Sequence, residues 1–339
     1  MKLLYKRVCI VDTIYSMSLF FLLSKSVKDF EDTLFVVSNG IPKQILEKLP
    51  NVIYEQNVYD FDLSSKKLLL RLKLIRLLKY NWRFIFAKHY ALDHLPFSPQ
   101  YLGFSRYVLL EDAPGILRRV EKDQIRLYPN EKRDFLWYVN AWFYHGGCWK
   151  NIWGQNVFCK NIIISDPKDV ESGLLKNKHF TLVNLKKMWD KKKDSQKQWF
   201  MSFLGLDTRK LKQWEKAKTL ILTNPWITDN ILTEEEYISC YKSSIDKYKD
   251  TGVIVKPHPR DHFDWHKHFP ELQVMDTIVP MQILCFLGVQ FDRAVTVAST
   301  AVTSFPSETE IVWLGHKICP ALLEKCGEEK WIPDNVSVL

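Results

Sequence analysis

The 339 residues are 46% hydrophobic and 14% aromatic, which excludes a disordered chain and suffices for one large domain or two of about 150 residues. Lys and Arg number 48 against 39 Asp and Glu, and this formal charge of +9 favours an anionic partner without choosing among nucleotide, phospholipid surface and nucleic acid. The apolar run at residues 17–23 ends at Ser24-Lys25-Ser26, short of the roughly 18 residues a span needs, and no signal-peptide pattern precedes it, so a cytoplasmic protein is expected.

Residues 6–11 read as a first strand, followed by Asp12-Thr13 as the cap of a helix through Tyr15, Leu19, Leu22 and Leu23. Residues 32–37 give a second strand closed by Ser38-Asn39-Gly40, then a helix to Leu49 and a short strand at 52–54. This alternation predicts parallel pairing. A leucine-rich helix is expected over 66–83, with Leu70, Leu74, Leu77 and Leu78 on one face and Lys73, Arg76, Lys79 and Arg83 on another. It suits either a core-facing helix or contact with anionic lipid. Residues 107–110 form a strand running into Glu111-Asp112-Ala113-Pro114-Gly115. The aromatic stretch 137–153, with His145-Gly146-Gly147, is a substrate-lining loop or a domain boundary.

A second α/β pattern starts near residues 161–164. Residues 186–197 are basic and polar, with Trp189 and Trp199 as anchors. Residues 219–223 form a strand closed by Asn224-Pro225-Trp226, and a helix begins at Glu234-Glu235-Glu236 and continues through Tyr248, its acids placed favourably at its start. Strand 252–255 ends in Lys256-Pro257-His258-Pro259-Arg260-Asp261, strand 272–275 in Asp276, and strand 293–298 in Ser299-Thr300-Ala301. Pro280 opens a helix over 281–287. The expected domains are therefore 1–155 and 156–339. Seven cysteines are scattered without metal-site spacing, so buried free thiols are expected.

Three groups fall at the ends of predicted parallel strands, where α/β proteins bind ligands. Glu111-Asp112 is a base and its partner, or a surface turn. His258, held between two prolines, is a hydrogen-bond donor or acid toward a phosphate, or a structural histidine. Ser299-Thr300 binds phosphate or simply caps a helix. Lys256 and Arg260 add positive field or are surface charges. His262, His266 and His268 match no metal pattern. The chain has no Walker loop and no clean G-x-G-x-x-G fingerprint, which weighs against ATP hydrolysis and dinucleotide redox chemistry. It also lacks an Asp-x-Asp motif, so a metal-dependent sugar transferase is not expected.

In order and spacing, Glu111-Asp112-Ala113, His258-Pro259 and Ser299-Thr300 resemble the motifs of bacterial sialyltransferases of glycosyltransferase family 52, the lipooligosaccharide enzymes related to bacterial polysialyltransferases. Ala113 stands where that family usually has glycine, so this turn must be built differently. The resemblance implies an α/β fold of GT-B type, two Rossmann-like domains facing a central cleft: an N-terminal acceptor side and a C-terminal nucleotide-sugar side. It implies an inverting, metal-independent transfer from CMP-sialic acid, with no other cofactor, to a galactose-containing acceptor of lipooligosaccharide or capsule. Asp112 would be the base, with Glu111 on the acceptor side. His258 would serve the leaving phosphate, Ser299 and Thr300 would bind it, and Lys256, Pro259, Arg260 and Asp276 would lie toward the donor. Peripheral contact with the cytoplasmic face of an anionic inner membrane and a homodimer are compatible with it. Kdo, glucosyl or glycerol-phosphate transfer is the nearest alternative. A non-catalytic membrane or nucleic-acid binding protein, suggested by the basic and aromatic residues 186–200, is the other, although no nucleic-acid module is present and no nucleic-acid partner is expected.

Overall fold

The computed structural model describes residues 5–55, 86–95, 97–102, 105–122, 152–171, 175, 177–214, 217–329, 332 and 337–338. The helix expected over 66–83 and nearly all of the aromatic stretch 137–153 lie outside them. The chain divides into two compact units, Met1–Phe203 and Leu204–Leu339.

The first unit holds a seven-stranded sheet: β1 (Arg7–Ile10), β2 (Leu34–Val37), β3 (Val52–Tyr54), β4 (Lys88–Ala91), β5 (Tyr107–Leu109), β6 (Cys159–Ile164) and β7 (Phe180–Leu182). Their order is β3-β2-β1-β4-β5-β6-β7, and every pair is parallel. The expected boundary at 155/156 is therefore corrected. Residues 161–164 do not open a second domain but extend the first sheet as β6, pairing with β5 on one side and β7 on the other. A buried strand needs a partner on each edge to satisfy its backbone, and here both partners are in the first unit.

The second unit holds β8 (Thr219–Leu222), β9 (Val253–Lys256), β10 (Gln273–Val274), β11 (Arg293–Thr296), β12 (Glu310–Trp313) and β13 (Ser337–Val338). They are parallel in the order β10-β9-β8-β11-β12-β13. Strands β8 and β9 are buried at all four positions, as continuous apolar runs covered on both faces must be. In both sheets the first six strands take the Rossmann order, which reverses between the first and fourth strands of the unit and opens a crevice at their carboxyl ends.

The apolar run at 17–23 belongs to the first helix, Ile14–Leu23, whose residues are buried on every side from Ile14 to Leu22. A helix apolar all round needs full cover, and here the protein core supplies it. Thr13 caps it by accepting from the Ser16 amide, and Ser18 and Ser24 return their hydroxyls to the Ile14 and Phe20 carbonyls at 2.7 and 2.9 Å. The basic segment 186–197 splits into helices Leu185–Asp190 and Asp194–Phe203. Phe200 of the latter stacks on Phe21 with ring centroids 4.1 Å apart, fixing the segment to the first helix. No helix among the described residues is long and apolar enough to cross a membrane.

One cysteine expectation is corrected. Cys240, in the helix Glu234–Tyr248, and Cys319 are joined as a disulfide within the core of the second unit, whereas Cys9, Cys159, Cys285 and Cys326 are free. Their separation of 79 residues hid the pair from spacing arguments.

Candidate active site

The carboxyl edge of the first sheet is lined with acids. Glu111, just past β5, is buried, and its carboxylate is fully occupied. Oε1 accepts from the Tyr15 hydroxyl at 2.7 Å and from the Ser165 hydroxyl at 2.6 Å, while Oε2 accepts from the Ser165 amide. Ser16 also donates to the Glu111 carbonyl at 2.9 Å. Burial raises the Glu111 carboxyl to about 7 against these opposing hydrogen bonds. Glu111 thus clamps the first helix and the end of β6 to the end of β5, so its geometry is that of a brace.

Asp112 is the opposite case. Its side chain keeps 23% exposure, and its buried Oδ1 has no full hydrogen bond among the described residues. Burial and the neighbouring Asp12 raise its carboxyl to about 6, with Thr13 offsetting part of the shift. Asp12 is itself held at the end of β1: its Oδ1 accepts from the Ser38 hydroxyl and, at 3.0 Å, from the Gly40 amide. A Cβ on Gly40 would overlap the Asp12 carbonyl oxygen, so this close approach needs glycine. The turn after Asp112 is also resolved. Gly115 takes the left-handed conformation at φ +76°, and Ala113 does not. The special backbone angle therefore falls on Gly115, two residues after Ala113.

Asp93 and His94, which follow β4, carry no motif that assigns them a role. Asp93 is fully buried and accepts from the Tyr107 hydroxyl at 2.7 Å and from the Trp153 and Gly154 amides, both at 2.8 Å. Burial nevertheless raises it to about 6. It pins a turn in which Trp153 (φ +58°) and Gly154 (φ +81°) are both left-handed. His94 stacks on the Trp153 indole at 3.8 Å, and its Nε2 lies 3.8 Å from Asp112 Oδ2.

The carboxyl edge of the second sheet is built from hydroxyls and nitrogen bases. His258, between Pro257 and Pro259, is held by its own backbone and ring. Its amide donates to Thr223 Oγ1 at 3.1 Å, and its Nδ1 accepts from the Arg260 amide at 3.1 Å. With Nδ1 occupied as an acceptor, the neutral ring carries its proton on Nε2. Burial, followed by the charges of Arg260 and Lys256, lowers the imidazole to about 4, so it is neutral near pH 7. The Thr223 hydroxyl donates to Asp261 Oδ2 at 3.2 Å, and Asp261 also accepts from the Tyr237 hydroxyl at 2.6 Å and the Phe263 amide at 3.1 Å. Thr223 and Asp261, neither assigned a role from sequence, thus lock the His258 turn to the end of β8. Beside them, Asn224 has a buried Oδ1 with no partner among the described residues.

The flanking cations differ from the expectation. Lys256 is only 3% exposed, and its Nζ reaches the Thr277 carbonyl at 3.4 Å, tying β9 to the segment after Asp276. Burial lowers it to about 8. Arg260 is exposed and forms a two-pronged pair with Asp229 at 2.7 and 3.2 Å, which engages its guanidinium. Pro259 and Asp276 are exposed. Ser299 is half-buried at the end of β11. Its amide donates to Thr296 Oγ1 at 2.9 Å, and its hydroxyl caps the short turn Thr300–Ser304 through the Ala301 amide at 3.4 Å. Capping and phosphate binding both use this orientation, in which a hydroxyl stands over free amides.

Residues 135–316 match the model of Glycosyltransferase family 52, a stretch that includes His258 and Ser299-Thr300 and begins after Glu111-Asp112. An uncharacterized protein of Haemophilus influenzae is 30% identical over 308 residues, covering 91% of this chain and 94% of its own. Among solved structures, a sialyltransferase from Photobacterium damsela superposes with a TM-score of 0.60 at 14% identity, over 99% of this chain and 81% of that one. A Photobacterium damselae sialyltransferase spanning its GT-B domain gives 0.52 at 14% identity, over 91% and 90% of the two chains. The UDP-GlcNAc 2-epimerase of Methanocaldococcus jannaschii gives 0.50 at 12% identity, over 91% and 83%. At such identities these likenesses concern the fold, and they place the two Rossmann-like sheets in the GT-B type. With more than half of the chain matched by the family model, the protein belongs to glycosyltransferase family 52 and is a glycosyltransferase.

Proposed function

We propose that the protein is an inverting sialyltransferase that moves sialic acid from CMP-sialic acid to a galactose-containing acceptor of lipooligosaccharide or capsule. Asp112 takes the proton of an acceptor hydroxyl, and the oxygen attacks the anomeric carbon opposite CMP. As that bond forms, the bond from the anomeric carbon to the phosphate oxygen breaks, and its electron pair leaves on CMP. Nε2–H of His258 and the hydroxyls of Ser299 and Thr300 donate to the departing phosphate. CMP is already a good leaving group, so placement of the nucleophile and preorganised donors carry most of the rate. No metal ion takes part in this scheme.

The observation that carries this reading is the state of His258. Its Nδ1 is satisfied by the Arg260 amide, so a neutral ring presents a fixed N–H donor, the form suited to an anionic leaving group. In this reading His258 acts as a donor rather than as a proton source. The matching half is Asp112, whose carboxyl at about 6 is largely ionised at pH 7 while Glu111 is fully engaged. We place the enzyme in the cytoplasm, in peripheral contact with an anionic membrane through its excess of lysines.

Incubation with CMP-sialic acid, CMP-Kdo, UDP-glucose and CDP-glycerol, each with a galactose-terminated acceptor, tests the donor through nucleotide release. Turnover of CMP-sialic acid alone is expected, with an inverted anomeric centre in the product by NMR. Release from another donor, and none from CMP-sialic acid, overturns the reading.

A further inference from the structure

At the crevice of the first sheet, His94 follows β4 and Asp112 follows β5, the adjacent strand. The His94 side chain is only 9% exposed, and its Nε2 lies 3.8 Å from Asp112 Oδ2. Its Nδ1 is buried with no hydrogen-bond partner among the described residues. The ring is not free to turn, because it stacks on Trp153 at 3.8 Å with an interplanar angle of 11°. Trp153 is fixed in turn by its own amide and that of Gly154, both donating to the buried Asp93 carboxylate. A Cβ on Gly154 would lie 2.7 Å from the Ile162 side chain, so this turn has little freedom to shift.

The geometry points to His94 as a positioning residue for Asp112: a neutral imidazole, held flat by the Asp93–Trp153 support, that donates Nε2–H to Oδ2 and fixes the plane of the carboxylate. The inference rests on the reading of Asp112 as the base. The tautomer follows from the surroundings. A proton on Nδ1 would leave a buried donor unsatisfied and turn a lone pair toward the carboxylate, whereas a proton on Nε2 leaves only an acceptor without a partner. Burial holds the ring neutral at working pH, so the pairing is of a neutral N–H donor with an anion, not an ion pair. The distance of 3.8 Å is longer than a formed bond, and such catalytic contacts commonly shorten when substrate binds. Among the described residues, the other titratable groups beside Asp112 are the adjacent Glu111, Asp12 at the end of β1 and Tyr15 of the first helix. All three are acids, whereas His94 brings a ring nitrogen to this carboxylate.

The test compares His94→Phe with His94→Gln. Phenylalanine keeps the ring, its burial and the Trp153 stack but removes the N–H; glutamine restores a donor at nearly the same reach. His94→Phe should lower kcat by about tenfold to a hundredfold with acceptor KM changed less than about threefold, as expected for losing a hydrogen bond to a charged group. Its Asp112 carboxyl should also titrate at higher pH than in the wild type, because a donor to the anion is lost while burial is retained. That titration is read by carbon-13 NMR of labelled aspartate, with Asp112→Asn identifying the signal, and it needs neither donor nor acceptor substrate. His94→Gln should recover part of both changes. A His94→Phe protein with wild-type kcat and an unmoved Asp112 titration overturns the inference. Failure of the wild type to use CMP-sialic acid overturns only the proposed donor, since the titration comparison does not depend on it.

Discussion

The two sheets use one strand order and opposite chemistry at the same edge. The carboxyl ends of the first sheet carry Asp12, Asp93, Glu111 and Asp112; those of the second carry Thr223, Lys256, His258 and Ser299. Burial pushes both sets toward neutrality from opposite directions: Asp93 and Asp112 rise to about 6 and Glu111 to about 7, while Lys256 falls to about 8 and His258 to about 4. The fold therefore decides where functional groups collect but not what they do. Within each edge, one group is left available while its neighbours brace the turn. Asp112 stands beside a saturated Glu111. His258 presents Nε2 while Thr223 and Asp261 hold its loop.

The sharpest break of this contrast is Asp112→Asn, which keeps the shape and removes the carboxylate proposed as the base. Transfer should fall by about a thousandfold, in the range of lost general-base catalysis, with an unchanged melting curve. A residual rate above a tenth of wild type would remove Asp112 from the chemistry. The proposed role also predicts the pH dependence of the wild type. A base must be ionised to act, so kcat/KM should decline as pH falls through about 6, the value to which burial raises Asp112. Declining activity centred near pH 4 would point instead to an unperturbed acid.

On the second edge, His258→Ala should cost about a hundredfold in kcat, the scale for removing one preorganised donor. Titration calorimetry should show weaker CMP binding. Smaller again is Glu111→Gln. Losing charge-assisted bonds from Tyr15 and Ser165 should destabilise the protein by about 1–3 kcal/mol in urea unfolding, while activity stays within about tenfold. A loss equal to that of Asp112→Asn would reverse the roles of the two acids. Arg260→Ala should do least. An exposed pair with Asp229 contributes about 0–1 kcal/mol, and turnover should change less than about threefold.

Much of this arrangement was legible in the sequence because the strands that carry the motifs are continuous apolar runs ending in polar turns. β1, β5, β8, β9 and β11 all follow that pattern. β4 does not: Lys88-His89-Tyr90-Ala91 has no apolar run and is a strand because β1 and β5 pair with it on both sides. Missing it hid Asp93 and His94. The domain boundary failed for a related reason. β6 reads as the start of a new α/β unit when its long-range partners are unknown. Lys256 and Arg260 looked alike as cations beside a histidine, yet one is buried against a carbonyl and the other is engaged by Asp229. Such differences depend on residues distant in the chain, which local pattern does not reveal. The disulfide between Cys240 and Cys319 was missed in the same way.

The turn after Asp112 has a consequence for how relatives are recognised. Its left-handed glycine is Gly115, and Ala113 needs no special conformation. A search pattern that demands glycine immediately after two acids passes over this chain, although a glycine turn is present two positions later. In this chain the strand end is marked by the spacing from Asp112 to the left-handed Gly115, not by the residue that follows the acids.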